Sequence, residues 1–230
     1  MIVTEHFAYL HLHKSAGSFV NETLLRFIPG ARQIGYHLPR SALPPDCAHL
    51  PVLGFVRNPW SYYVSWYNFQ RRLPQQNALY RLLSDDGRLD FTATLINMQS
   101  LGSGGPLLEP LLEALPVKYS NRGLNVPSGA MARIAQSGRG FYSFLYHHIY
   151  DGAGLRYISR MEQLRSELPR MLMAVGQPVG SVLRSYIEDA PARNAAEQSS
   201  YADWYTPETR ALVEERDADV ISEFGYRFGE

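Results

Sequence analysis

The stretch Tyr9-Leu10-His11-Leu12-His13-Lys14-Ser15-Ala16-Gly17-Ser18-Phe19 constrains the fold of this chain more than any other. A short apolar run ends in a cation, and small residues then open a helical pattern in which Val20, Leu24, Phe27 and Ile28 recur before Pro29-Gly30 stops it. That order of residues encodes a strand, a tight turn and a helix N-terminus. Such a turn holds an anion with three parts: a lysine point charge, small residues that let the backbone come close, and helix N–H groups with no intrahelical acceptor. An ordinary strand-to-helix turn would use small residues as well, so a second segment is needed to decide.

Gly54-Phe55-Val56-Arg57-Asn58-Pro59 supplies it. Pro51 to Val56 reads as a buried strand, Arg57 as a cation at its end, and Asn58-Pro59 as the cap and first residue of a helix reaching about Arg72. Residues 7–13 and 31–36 read as two further strands, and Leu155 to Met161 as another, followed by a helix over Glu162 to Ala174. Thr206-Pro207-Glu208 opens a last helix with cap, proline and acidic first turn in order. Strands alternating with helices predict an α/β fold: a central parallel sheet flanked by helices. Residues 74–128, broken by Asp85-Asp86-Gly87, Gly102-Ser103-Gly104-Gly105-Pro106 and Tyr119-Ser120-Asn121-Arg122-Gly123, read as a helical, loop-rich insertion in a single domain over 1–230.

Composition removes several classes. Lys plus Arg and Asp plus Glu both number 22 in 230 residues, so no global charge draws the chain to nucleic acid or an anionic membrane, and any anion binding is local. Cys47 is the one cysteine, which excludes an intrachain disulfide and a cysteine-rich metal cluster. The start of the chain has no basic region followed by an apolar core, and nowhere do about 18 apolar residues run together. A cytoplasmic protein without an integral membrane segment is the expectation.

Lys14 is preceded by no glycine; the first in the chain is Gly17. A triphosphate-wrapping loop has a glycine, four residues, then Gly-Lys-Ser or Gly-Lys-Thr. The loop here suits one terminal anionic group instead. On the helix after Arg57, Ser61, Ser65, Asn68 and Arg72 form a polar stripe, which is either a solvated face or a hydroxyl partner for a phosphate held by the arginine.

Taken together, these segments resemble the sulfotransferases that use 3′-phosphoadenosine 5′-phosphosulfate, especially the carbohydrate and heparan sulfate branch. That family carries His-Ile-Pro-Lys, Ser or Thr, Ala or Gly, Gly, and Ser or Thr as its 5′-phosphosulfate loop, matched here by His11 to Ser18. Its second motif is Arg, Asp or Asn, then Pro, with a serine eight residues after the arginine, matched by Arg57-Asn58-Pro59 and Ser65. Gly140-Phe141-Tyr142, Tyr157 to Leu164 with Glu162, and Tyr205 to Tyr226 continue the likeness over about two-thirds of the chain, with residues 74–128 outside it. His13 stands where the family has proline, and Tyr62 where an arginine is common.

The resemblance implies the fold of the P-loop nucleotide kinases and transfer of a sulfuryl group to an acceptor hydroxyl, with no metal. It assigns donor binding to Lys14, Ser15, Ala16, Gly17, Ser18, Phe19, Arg57 and Ser65, and stabilisation of the leaving phosphate oxygen to Lys14. His37, in Ile34-Gly35-Tyr36-His37, sits near the place of a general-base histidine in the uronyl 2-O-sulfotransferase-like branch, although there a Gly-His pair is uninterrupted. An exposed imidazole with an ordinary pKa of about 6.5 suits that task. Glu22, early in the first helix, is the rival base. His11 reads as a core histidine, and His147-His148 as helix residues lacking a third metal ligand. The tyrosines with Arg71, Arg72, Arg122, Arg133 and Arg139 suit a glycan acceptor, and a small hydroxylated metabolite fits nearly as well. A small-molecule kinase using a nucleoside triphosphate and a non-catalytic binder of sulfated or phosphorylated ligands are the alternatives.

Overall fold

The structure, a computed structural model, describes residues 1–121, 123–190 and 200–230. Its strands are β1 (Ile2–Val3), β2 (Ala8–Tyr9), β3 (Arg32–Gln33), β4 (Val52–Val56) and β5 (Arg156–Arg160). Its α-helices are α1 (Gly17–Phe27), α2 (Pro59–Arg72), α3 (Ala78–Leu83), α4 (Phe91–Ser100), α5 (Leu108–Ala114), α6 (Ser128–Met131), α7 (Phe141–Tyr150), α8 (Leu164–Ala174), α9 (Ser181–Asp189), α10 (Pro207–Arg216) and α11 (Ala218–Phe224). The described residues fall into two compact units, one within Met1–Arg57 and Ile149–Ala196, the other within Asn58–His148 and Glu197–Glu230.

The first unit carries the sheet, in the order β3-β1-β2-β4-β5. Strands β2, β4 and β5 are parallel, in register from Ala8 opposite Val52 to Val56 opposite Arg160. The α/β sheet flanked by helices is as expected. One strand differs from an all-parallel sheet: β1 runs antiparallel to both β2 and β3. The reason is local, since Thr4 Oγ1 accepts the Phe7 N–H at 3.0 Å and closes a tight hairpin with no room for a crossover. The strands read over 7–13 and 31–36 shrink to two residues each, because their later residues turn away into loops.

Tyr9, Leu53 and Phe55 point to one face of the sheet, where Val20 and Leu24 of α1, Leu168, Met171 and Leu172 of α8, and Leu183 and Ile187 of α9 complete a buried apolar cluster. Each such side chain stabilises the fold by about 1.5–3 kcal/mol. On the opposite face, the Tyr150 hydroxyl is shared between the carbonyls of Leu10 (3.2 Å) and Phe55 (3.1 Å), tying the ends of β2 and β4 together. Gly54 is required beneath it, because a Cβ there would lie 2.5 Å from the Tyr150 oxygen.

The second unit is helical in its described residues and includes the 74–128 segment. Its interior is aromatic: Trp60, Tyr62, Tyr63, Tyr80, Tyr142 and Tyr146 are all buried. Tyr62 stacks on Tyr142 with centroids 4.2 Å apart, so the residue standing in place of the family's arginine is a core side chain. The last helix expected from Thr206 is split at Asp217, which is fully buried. Its carboxylate accepts from the Tyr63 hydroxyl (2.8 Å), the Ser143 N–H (2.8 Å) and Gln99 Nε2 (3.4 Å). Burial raises its pKa to about 6, against the opposing pull of those hydrogen bonds. Asp217 thus ties α2, α4 and α7 to the α10–α11 joint.

Candidate active site

Ligand sites in open α/β sheets lie beyond the carboxyl ends of the parallel strands. Here β2 leads into Lys14 and β4 into Arg57, and the two meet: Arg57 Nη1 donates to the Lys14 carbonyl at 3.4 Å. Burial, and then the Arg57 cation, lower the Lys14 pKa to about 8. Two cations thus lie side by side in a partly desolvated place.

The backbone between them is strained in a way that serves the same end. Lys14 and Ala16 both have φ of 58°, in the left-handed region, and neither is glycine. That conformation costs roughly 1–2 kcal/mol per residue. Alternating it around Ser15 curls the loop onto the start of α1, whose cap is Ala16 with no side-chain hydrogen bond. Ser15 is buried and its hydroxyl donates to the His13 carbonyl at 3.3 Å, whereas Ser18 is exposed. The Phe19 N–H turns back to the Ala16 carbonyl at 3.1 Å, and the Phe19 ring stacks on Tyr186. Among the amides that the resemblance assigns to a phosphate, those of Gly17 and Ser18 begin the helix and have no intrahelical acceptor.

Gly17 has a second duty. A Cβ there would lie 1.7 Å from His11 Nε2, so the buried His11 ring lies directly on the first turn of α1. Sequence reasoning placed His11 in the core and gave it no neighbours. The structure gathers it with two other imidazoles: His37 lies 4.4 Å from His11 and 3.7 Å from His13 between ring centroids, the latter pair nearly parallel at 14°. His37 Nδ1 is 2.9 Å from the His11 carbonyl. A carbonyl only accepts, so Nδ1 carries the proton and Nε2 keeps the lone pair. Among the described residues no group of His, Cys, Asp or Glu is arranged to hold a metal ion.

His37 departs from the exposed, ordinary imidazole expected of it. It is half-buried, has φ of 52°, and its pKa is lowered to about 4. Burial is the main cause; the hydrogen bond to His11 opposes it, and the chain's N-terminal ammonium adds to it. His11 is held well below its usual value by burial, by His37, by the N-terminal ammonium and by Lys14. Both rings are neutral at physiological pH.

Glu22 sits on α1 and accepts from the Tyr186 hydroxyl at 2.9 Å. Ser65 is half-buried on α2 and belongs to the second unit. Of the arginines suited to a glycan, Arg71 lies over the Tyr67 ring, Arg139 pairs with Asp219 at 2.9 Å, Arg133 faces His148 at 3.4 Å, and Arg72 is exposed. Arg122 lies outside the described residues. His147 also bonds Asp219, at 2.7 Å, and His148 is lowered to about 4 by burial and then by the Arg133 cation.

Two residues at the strand ends were missed in the sequence. Tyr150 belongs to no motif of the sequence, although a glycine mid-strand at position 54 signals that something large must cross there. Arg160 closes β5, opposite Val56 in the parallel register, so three adjacent parallel strands lead toward cations.

No described helix is long and apolar enough to cross a membrane. No model of a protein family matches the sequence, and no curated protein matches it. Solved structures do. Mouse sulfotransferase SULT7A1, complexed with PAP, covers 95% of this chain with 86% of its own length, at a TM-score of 0.50 and 14% identity. At that identity the likeness concerns the fold: the α/β sheet flanked by helices is the arrangement of a P-loop-like sulfotransferase fold.

Proposed function

We propose that this protein is a sulfotransferase that moves a sulfuryl group from 3′-phosphoadenosine 5′-phosphosulfate to an acceptor hydroxyl, of a carbohydrate or a small hydroxylated metabolite. The carrying observation is the meeting of Lys14 and Arg57 at the ends of adjacent parallel strands, beside the N-terminus of α1. The fold neighbour's complex with PAP supports the same reading. The residues fit a nucleotide with separate anionic ends: a strained lysine loop opening a helix, and a guanidinium one strand away.

In this reading Lys14 and the amides at the start of α1 bind the 5′ end, and Arg57 binds the 3′-phosphate. When bound, the donor supplies the sulfuryl group. His37 Nε2 accepts the proton of the acceptor hydroxyl as that oxygen becomes the nucleophile, and the His11 carbonyl holds the resulting imidazolium through Nδ1–H. Lys14 Nζ places positive charge where the bridging phosphate oxygen gains negative charge, which is stabilisation by a preorganised group. Glu22 ranks second as base because its carboxylate is engaged by Tyr186. Cytoplasmic location belongs to the same reading.

Calorimetric titration without metal tests it. Adenosine 3′,5′-bisphosphate should bind well and ATP poorly. Preferential, magnesium-dependent ATP binding would instead make the chain a kinase, and bisphosphate binding with no transfer from the sulfated donor would make it a binder.

A further inference from the structure

The cluster of three histidines contains one ring that neither the fold nor the proposed chemistry has yet used. His13 immediately precedes Lys14, is 7% exposed, and lies face to face with His37 at 3.7 Å and 14°. The resemblance marks it as a departure, since proline usually occupies the position. A proline there would stiffen the loop; it would offer no aromatic plane.

We propose that His13 is a positioning residue: its imidazole, fixed to the anion-binding loop, holds the His37 ring in the orientation that presents Nε2 to the acceptor. This rests on the reading of His37 as general base. Two contacts are needed to fix a ring. The Nδ1–H bond to the His11 carbonyl anchors one edge of His37 but still allows the ring to pivot about that bond. The His13 plane removes the pivot, because a ring stacked at 3.7 Å cannot tilt without losing contact or clashing. Ser15 Oγ donates to the His13 carbonyl at 3.3 Å and so holds the loop backbone from which the His13 ring projects.

The arrangement also governs the proton. His37 faces His13 on one side and His11 on another, with Tyr36 beside it and the N-terminal amino group, itself lowered to about 5 by burial, nearby. The stacked ring excludes water from the His37 face and so favours the neutral imidazole that a base requires. Because His13 and Lys14 are adjacent, any rearrangement of the loop on binding an anion passes directly to the base.

The experiment compares His13→Ala with His13→Phe, which keeps an aromatic plane and loses the ring nitrogens. The His37 imidazole is followed by nuclear magnetic resonance from pH 3.5 to 8, and sulfuryl transfer to 2-naphthol is measured alongside affinity for adenosine 3′,5′-bisphosphate. In His13→Ala the His37 titration should move upward by about one pH unit or more as water reaches the ring, kcat should fall about tenfold to a hundredfold, and bisphosphate affinity should change less than about threefold. His13→Phe should restore both the titration and most of the turnover. An unmoved His37 titration in His13→Ala overturns the proposal, as does full turnover in that variant. Wild-type protein that transfers no sulfuryl group, with the titration shift present, overturns the sulfotransferase reading and leaves the stack as the device that orients His37.

Discussion

Arg57 donates to the backbone carbonyl of Lys14 across 3.4 Å, so the cation at the end of β4 is joined to the lysine loop that follows β2. The guanidinium supports the loop and stays next to the ammonium that it depresses. Removing either residue therefore has separable consequences.

Arg57→Ala should weaken adenosine 3′,5′-bisphosphate by about 2–4 kcal/mol, the scale for a buried charge-assisted partner. Adenosine 5′-phosphate, which has no 3′-phosphate, should lose much less. Calorimetry on both nucleotides checks this, and equal losses would place Arg57 at the 5′ end.

Lys14 titrates at about 8 in the free protein, so it is largely cationic below that pH and loses its charge above it. Bisphosphate affinity should therefore fall as pH rises through 8. Lys14→Arg, whose guanidinium stays charged, should abolish that fall. Lys14→Ala should reduce kcat more than product affinity if the charge acts on the leaving oxygen; an unchanged kcat with a raised donor KM would make it a plain anchor.

For the base, His37→Ala should lower kcat by about 10²-fold or more with bisphosphate affinity nearly intact. The acidic limb of kcat/KM, which reports the free protein, should lie well below the ordinary histidine range, toward 4, and vanish in this variant. Full turnover in His37→Ala with a dead Glu22→Gln would transfer the role to the glutamate of α1.

Stability should respond to acid in opposite senses in the two units. The folded pKa of His37, about 4, lies below its unfolded value of about 6.5, so its stabilising contribution is present above 6.5 and is lost as pH falls through 4, about 3 kcal/mol in all. The folded pKa of Asp217, about 6, lies above its model-compound value of 3.8. Its contribution is present below 3.8 and is lost as pH rises through 6, again about 3 kcal/mol. Melting curves of His37→Phe and Asp217→Asn against wild type between pH 4 and 7 should differ with slopes of opposite sign.

The strand-turn-helix of residues 9–19 and the cap at Asn58-Pro59 were legible in the sequence because each is a local device: a lysine after an apolar run, a glycine in the helix start, an Asn side chain accepting the Ser61 N–H. So was the α/β class, since alternating short apolar runs and helical periods leave few other ways to bury both. Tertiary structure alone decided the rest. That Lys14 meets Arg57 depends on strand register, which pairs Ala8 with Val52. That His11, His13 and His37 form one cluster depends on contacts across more than twenty residues, and it turned an expected exposed histidine into a neutral, half-buried one. The fates of Asp217 and Tyr150 were equally hidden. A carboxylate on a helix looks solvated until three donors close around it, and a tyrosine looks like core until its hydroxyl reaches two strand ends. Sequence spacing specifies what a segment does with its own neighbours. Desolvation and charge coupling, which set the pKa values on which the proposed chemistry runs, arise from residues distant in the chain that only the folded chain brings together.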